Sequence, residues 1–309
     1  MMNREYYNVF GDDFDRFDFP CEVIRVTAGH GGEALLIAGG EKNALIDCGM
    51  AYCGKETADN LAKAADRLDY ILLSHSHYDH IGGLPYIRDR FPEALVCGSE
   101  RCARIVKKPN ARRLMERLGH EAGELYAPDS SAVIRTDGLQ VDLILRDGDS
   151  IELGGETVTA LETKGHTDCS LSYYLEPAGL LFTSESTGIL EGKDYVHTPI
   201  LKSFSDALRS AKKCRSLAPE FLCLPHFGML PPEYNDIFFD KFEEECGNKI
   251  EFVRKMIAGG LSEEEMFERY TDRYWTPAKE AEQPYKAFAI NAGHILKALM
   301  REINGDENV

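Results

Sequence analysis

Three histidines and an aspartate lie within six residues of this chain, directly after a short apolar run. The stretch ILLSHSHYDHIGG at residues 71–83 contains His75, His77, Asp79 and His80. Imidazole and carboxylate side chains together suit zinc, iron or manganese. In an extended stretch alternate side chains share a direction, so His75, His77 and Asp79 can face one space. We expect His80 to join them where the chain bends, and the cluster predicts a metal site.

Three more residues of ligand type occur later in the chain, each beside an apolar, strand-like run. His166 lies in ETKGHTDCS, Glu185 in LLFTSES and His226 in LCLPHFG. Ligands at the carboxyl ends of buried strands lie where α/β folds place their chemistry. The repeated local pattern therefore predicts that these three side chains converge on the histidine cluster.

The elements that must position these residues alternate between short strands and helices. Strands are predicted within residues 22–47, 70–74, 94–99, 131–185 and 221–228, where apolar runs are separated by glycine-rich turns. Helices are predicted at 56–68, around 84–91, 99–126, 203–217, 232–259, 262–273 and 285–303. Ser203 or Ser205 is the expected cap of the helix that begins there.

Two β-rich blocks, each followed by helices, predict an α/β fold of two mixed sheets packed face to face with helices outside. We expect one catalytic domain at residues 1–230 and a helical extension at 231–309. The extension is expected to pack over the pocket mouth or to form a homodimer contact. No uncharged apolar run of about 18 residues occurs, so no membrane span is expected.

Composition narrows the class of partner. The formal net charge of −17 disfavours binding to nucleic acid phosphates. The nine cysteines are scattered and never spaced as CxxC, which favours a reducing compartment over a disulfide framework. The first residues lack the basic-then-apolar order of a signal peptide. A cytoplasmic protein acting on a small molecule is the expectation.

Four motifs together resemble one known family. SHSHYDHIGG matches the HxHxDH signature of the metallo-β-lactamase superfamily, and KGHTDCSLSYY resembles that family's GHT loop. LLFTSES resembles its strand ending in a metal-bridging acid, and LPHFG resembles its final histidine. The resemblance covers roughly residues 22–230. It implies a four-layer αβ/βα sandwich with a dinuclear metal site at one edge of the two sheets.

The resemblance also implies a role for each matching residue. The first metal would be held by His75, His77 and His166, and the second by Asp79, His80 and His226. Glu185 falls where the family usually has a bridging Asp, so its side chain is one methylene longer. Asp47 in ALIDCG would orient a ligand by accepting its N–H. Residues that could reach the pocket are Tyr78, Tyr195 and His197.

By resemblance, the reaction is hydrolysis by hydroxide held between two divalent ions, most simply zinc, with manganese or iron as alternatives. Its target would be an ester, thioester, lactone or phosphodiester bond, and Asp79 could hold a proton in transit. An iron redox enzyme of the oxygenase type is the alternative within the same superfamily. The diiron reductases have HxExDH where this chain has His77, and a nuclease is disfavoured by the acidic charge.

Overall fold

The computed structural model describes residues 23–191, 195–226 and 228–305. The first residue of the earliest predicted strand and the segment considered as a signal peptide lie outside these ranges. Within them, no helix combines the length and the apolarity that crossing a bilayer requires. The eight cysteines in these ranges are all buried and unpaired.

The first sheet contains six strands in chain order. They are β1 (Val23–Arg25), β2 (Leu35–Ala38), β3 (Asn43–Ile46), β4 (Tyr70–Leu72), β5 (Leu95–Gly98) and β6 (Leu143–Ile144). β1 to β3 form an antiparallel meander, and β3 to β6 are parallel. The parallel strands require crossovers, which helices provide.

The second sheet has the strand order β14-β13-β10-β9-β8-β7, and a separate ribbon pairs β11 with β12. The bounds are β7 (Ser150–Glu152), β8 (Thr157–Glu162), β9 (Leu171–Glu176), β10 (Leu180–Phe182), β11 (Ile189–Leu190), β12 (Val196–His197), β13 (Phe221–Leu224) and β14 (Gly228–Leu230). Only β10 and β13 run parallel, so their carboxyl ends meet at one edge.

Ten helices are described. They are α1 (Gly54–Ala64), α2 (Tyr78–Ile81), α3 (Leu84–Arg90), α4 (Glu100–Val106), α5 (Pro109–Tyr126), α6 (Phe204–Ser216), α7 (Asn235–Ala258), α8 (Glu263–Tyr274), α9 (Pro277–Glu282) and α10 (Tyr285–Asn304). Ser203 caps α6 by accepting a hydrogen bond from the Asp206 amide. Of the two predicted caps, Ser203 is therefore the one used.

The two faces of the first sheet bury different apolar clusters. Leu35 and Ile37 point inward and share a core with Val158 and Tyr173 of the second sheet. The alternate residue Leu36 points outward and packs in a separate cluster with residues of α1, α3 and α4. Two mixed sheets with helices outside both confirm the predicted fold class, because strand alternation gives each sheet two apolar faces.

One local prediction was wrong, and two short elements were not predicted. The run AVIRT at 132–136 was predicted as a strand because of its β-branched residues, but its backbone is irregular. Val133 is 67% exposed, so the run does not pack on a sheet. The short helix α9 was not predicted, although Thr276 caps it and Pro277 opens it, a recognised start signal. β14 was also missed, because three residues are too few to show alternation.

The carboxy-terminal helices pack on the second sheet. Phe238 and Phe242 of α7 lie in the same apolar cluster as Phe182 and Leu222 of that sheet. α10 contacts α6, α7 and α8, so the helical segment is continuous with the core of the sandwich.

Lys249 in the middle of α7 is completely buried. Its Nζ donates to the Thr198 carbonyl at 3.1 Å and lies 4.8 Å from the centre of the Tyr274 ring. Burial lowers the pKa of Lys249 to about 8, against the opposing effect of the Glu245 carboxylate. The lysine therefore ties α7 to the segment after β12 through one hydrogen bond.

Replacing Lys249 should flatten the dependence of stability on pH. The folded-state pKa lies below the unfolded value, so the unfolded chain binds more protons and stability rises with pH above about 8. Between pH 7.5 and 10, we expect the unfolding free energy of the wild type to rise by about 2 kcal/mol more than that of Lys249→Met. Urea titrations measure the difference, with the exposed Lys255→Met on the same helix as control. A constant difference between wild type and Lys249→Met would contradict the assignment.

Candidate metal centre

The histidine loop changes conformation in its middle. The chain leaves β4 extended as far as His77, whose φ and ψ are −78° and 151°, and α2 begins at Tyr78. His75 and His77 therefore project from extended backbone, whereas Asp79 and His80 project from a helical turn. Strand alternation therefore positions only His75 and His77, whereas the turn that begins at Tyr78 positions Asp79 and His80.

Two groups of ligand-type side chains result, and in each the candidate ligand atoms lie within 4.8 Å of one another. One group contains His75, His77, His166 and Glu185. The other contains Asp79, His80, Glu185 and His226. All the residues that the sequence suggested as ligands are thus brought together, and Glu185 belongs to both groups.

Glu185 lies between the two groups. It is the first residue of a 3-10 turn, Glu185–Thr187, just beyond β10. Its Oε1 is 2.8 Å from Nε2 of His80 and 3.4 Å from Nε2 of His226. Its Oε2 is 3.5 Å from Nε2 of His166. Oε1 also lies 3.6 Å from Nε2 of His75, so the carboxylate lies between the two groups, with Oε1 nearest to His80 and Oε2 beside His166.

Backbone carbonyls orient two of the imidazoles. Nδ1 of His166 lies 2.5 Å from the Pro199 carbonyl, and Nδ1 of His226 lies 3.1 Å from the Gly31 carbonyl. A carbonyl only accepts hydrogen bonds, so each Nδ1 carries the proton when the ring is neutral. The Nε2 lone pairs are then left to face Glu185, which is the arrangement that a metal ligand needs.

Asp47 and Ser74 orient two further rings, those of His80 and His75. Asp47 accepts hydrogen bonds from the Ser74 amide at 2.7 Å and from the Ser74 hydroxyl at 2.5 Å. Its Oδ2 is also 2.9 Å from Nδ1 of His80, and the Ser74 hydroxyl is 3.0 Å from Nδ1 of His75. Asp47 holds a left-handed φ of 52°, a strained conformation that the surrounding bonds maintain.

The donor set suits a bound cation. His75 Nε2 is buried, has no hydrogen-bond partner among the described residues and lies 3.6 Å from Glu185. Burial, followed by the nearby imidazoles of His80, His77 and His166, lowers the pKa of His75, which keeps it in the neutral form that binds metals. A buried lone pair without a donor is costly, and a cation would satisfy it.

The second group attracts positive charge. Burial opposes protonation of His80, yet the carboxylates of Asp79, Asp47 and Glu185 together raise its pKa above the ordinary value. The same balance, led by Glu185, raises the pKa of His226. Clustered carboxylates that favour added positive charge are the electrostatic setting of a divalent cation.

A cavity of about 440 Å³ opens onto the ligand-type residues. His77, Asp79, His166, Glu185 and His226 all contribute to its wall.

Two of the three residues expected near the pocket lie in the wall of this cavity, namely Tyr78 and His197. Tyr195 does not line the cavity, so that expectation was wrong. Its hydroxyl instead donates to Glu245 on α7 at 3.3 Å, which directs the Tyr195 side chain towards α7.

Several supporting residues were missed by sequence reasoning. His30 and His294 were not among the residues predicted to lie near the pocket, but both line the cavity. The Ser186 hydroxyl accepts a hydrogen bond from the His166 amide at 3.0 Å. The only available signals were that Ser74 directly precedes the cluster and that Ser186 directly follows Glu185.

We expect Asp47→Asn to weaken metal binding about 10- to 100-fold, because an amide no longer fixes the tautomer and orientation of His80. Competition against a fluorescent chelator measures the affinity. Asp59→Asn, at an exposed position on α1, is the matched control and should bind metal as the wild type does. Equal affinity in Asp47→Asn and wild type would show that Asp47 plays no part in the centre.

Comparison with known proteins gives a consistent family. A model described as the metallo-beta-lactamase superfamily matches residues 28–226. A metallo-beta-lactamase fold-containing protein of Sulfurisphaera tokodaii is 26% identical over 169 residues, covering 54% of this chain and 64% of that protein. A hydroxyacylglutathione hydrolase of Ruegeria pomeroyi is 28% identical, covering 54% of this chain and 52% of the relative. The chain thus spans about half to two-thirds of the length of these relatives.

Solved structures show the same fold. A metallo-beta-lactamase family protein of Thermus thermophilus superposes with a TM-score of 0.61 at 20% identity, covering 91% of this chain and 94% of the other. An archaeal superfamily protein from Sulfolobus tokodaii superposes with a TM-score of 0.54 at 19% identity, covering 71% and 85%.

Proposed function

The chain belongs to the metallo-beta-lactamase superfamily, and from this membership we propose that it is a hydrolase with two divalent metal positions. The observation that carries the proposal is Glu185, which belongs to both groups of ligand-type residues, with Oε1 beside His80 and Oε2 beside His166. A buried carboxylate shared in this way fits two cations better than one. The catalytic unit would comprise residues 1–230, with residues 231–309 as the appended helical part.

The ligand assignment follows the two groups. We propose that the first ion binds His75, His77 and His166, and that the second binds Asp79, His80 and His226. Glu185 is one methylene longer than the usual family Asp, so it would bridge the two ions if its backbone sits further back. Its position at the start of a turn beyond β10 is consistent with that arrangement.

When bound, divalent ions such as zinc would acidify a water molecule and polarise the scissile group of the substrate. The protein's own part is to orient the imidazoles, through Asp47 and the backbone carbonyls, and to handle the proton. Asp79 Oδ2 lies 3.6 Å from His80 Nε2 and 3.8 Å from His226 Nε2, on the cavity wall. We propose that this oxygen takes the proton of the attacking water and returns it to the leaving group.

The substrate class that we propose is a small-molecule ester or thioester. One relative is named a hydroxyacylglutathione hydrolase, which supports cleavage of a thioester-type bond. The net charge of −17 supports a small molecule rather than a nucleic acid as partner. A cytoplasmic location is consistent with the eight unpaired cysteines.

Elemental analysis of protein purified without added metal, combined with turnover on thioesters, esters, lactones, phosphodiesters and β-lactams, tests the proposal. Two zinc or manganese ions per chain with ester-type turnover are expected. A single iron with oxygen consumption would overturn the hydrolase and favour the oxygenase alternative.

Glu185→Asp should separate a bridging carboxylate from a merely nearby one. The shorter side chain withdraws the carboxylate by about 1.5 Å, so we expect one ion to be lost or kcat/KM to fall 10- to 100-fold. Glu152→Asp, on the exposed face of β7, serves as control. Unchanged metal content and rate in Glu185→Asp would remove Glu185 from the ligand set.

A further inference from the structure

Helices α5 and α10 both flank the cavity, although they are far apart in the sequence. Lys286 at the start of α10 forms an ion pair with Glu121 of α5. The two residues are 165 positions apart in the chain, so the pair fixes two remote segments beside each other. Both helices contribute side chains to the wall of the cavity that opens onto the ligand set.

Both helices present apolar side chains to the cavity, and α10 also presents Asn291 and His294 to it. Leu114 and Leu118, one turn apart, line the cavity from α5, and Ala287 and Ile290 line it from α10. Leu201, on the segment before α6, adds a fifth apolar side chain. We call these five residues the apolar cleft.

Charged groups of the cavity lie outside the apolar cleft. Glu191 and Lys279, which also line the cavity, form an ion pair with each other. Lys202 lines it too but is exposed to solvent. A polar substituent placed against the apolar cleft would lose water without gaining a partner there, which disfavours short hydroxylated or charged acyl groups.

Building on the proposed hydrolase, we infer that the substrate carries an uncharged apolar acyl chain that lies in the apolar cleft while its carbonyl faces the ligand set. The cavity of about 440 Å³ holds roughly fifteen water-sized groups. After allowance for the ions and the scissile group, this leaves room for an acyl chain of about six to ten carbons. The helical tail thus supplies two of the five residues of the apolar cleft, Ala287 and Ile290 of α10.

A chain-length series tests the inference on the metal-loaded protein. Acyl thioesters of N-acetylcysteamine with two, four, six and eight carbons share one leaving group. Burial of each added methylene should raise kcat/KM about three- to fourfold. Rates that stay flat or fall with chain length would overturn the inference while leaving the hydrolase standing.

Two matched alanines on α10 locate the effect. Ala287 lines the cavity, whereas Ala289 does not, so each is replaced by Phe. We expect the ratio of kcat/KM on the octanoyl thioester to kcat/KM on the acetyl thioester to fall at least tenfold in Ala287→Phe. Ala289→Phe should keep the wild-type preference. If Ala287→Phe does not fold, Ile290→Asn takes its place and should lose the octanoyl preference through polarity instead of bulk.

Calorimetric titration with octanamide, and with acetamide as the short control, provides a readout that needs no turnover. The wild type should bind octanamide at least tenfold more tightly than Ala287→Phe does, and acetamide should show no such difference. Octanamide binding without any ester hydrolysis would refute the hydrolase and retain the apolar cleft. Equal binding of octanamide to wild type and variant would refute the apolar cleft.

Discussion

The central constraint on this structure is electrostatic. Asp47, Asp79 and Glu185 lie beside buried imidazoles, where desolvation opposes every charge. Their arrangement raises the pKa of His80 while burial lowers that of His75, so one half of the cage favours added positive charge and the other offers a neutral lone pair. Divalent cations would neutralise the carboxylates and would also accept the lone pair of His75.

The sandwich fold brings these groups together. His75 and His77 follow β4 of the first sheet, whereas Glu185 and His226 follow β10 and β13 of the second. Because β10 and β13 are parallel neighbours, their carboxyl ends meet at one edge, and the sheets face each other across a shared core. Side chains more than a hundred residues apart can therefore approach within hydrogen-bonding distance, as His80 and Glu185 do at 2.8 Å.

The apolar cleft is connected to the same edge. Lys249 of α7 holds the Thr198 carbonyl, and the next residue, Pro199, holds His166 through its own carbonyl. The helical tail is thus connected to the ligand set from behind and to the substrate cavity from the front, through Ala287 of α10. The helical part at residues 231–309 contains no recognisable motif, so its role follows from its packing against the sandwich.

Local patterns were sufficient for much of the fold and for finding the ligand-type residues that the structure brings together. Strand alternation and helical periodicity predicted the two sheets and helices such as α6, because the spacing of apolar residues shows which face of an element is buried. The change from extended to helical backbone at Tyr78 was not predicted, since it is not visible in the local spacing of the histidine loop. Tyr195 and His294 show the same limit, because neighbouring elements decide which side of a strand or helix faces the cavity.

Anomalous diffraction from crystals of the zinc-loaded protein, recorded on both sides of the zinc absorption edge, tests the central claim most directly. The account predicts two peaks, one among His75, His77 and His166 and one beside His80 and His226, with Glu185 between them. A single peak, or none inside the imidazole cage, would contradict it.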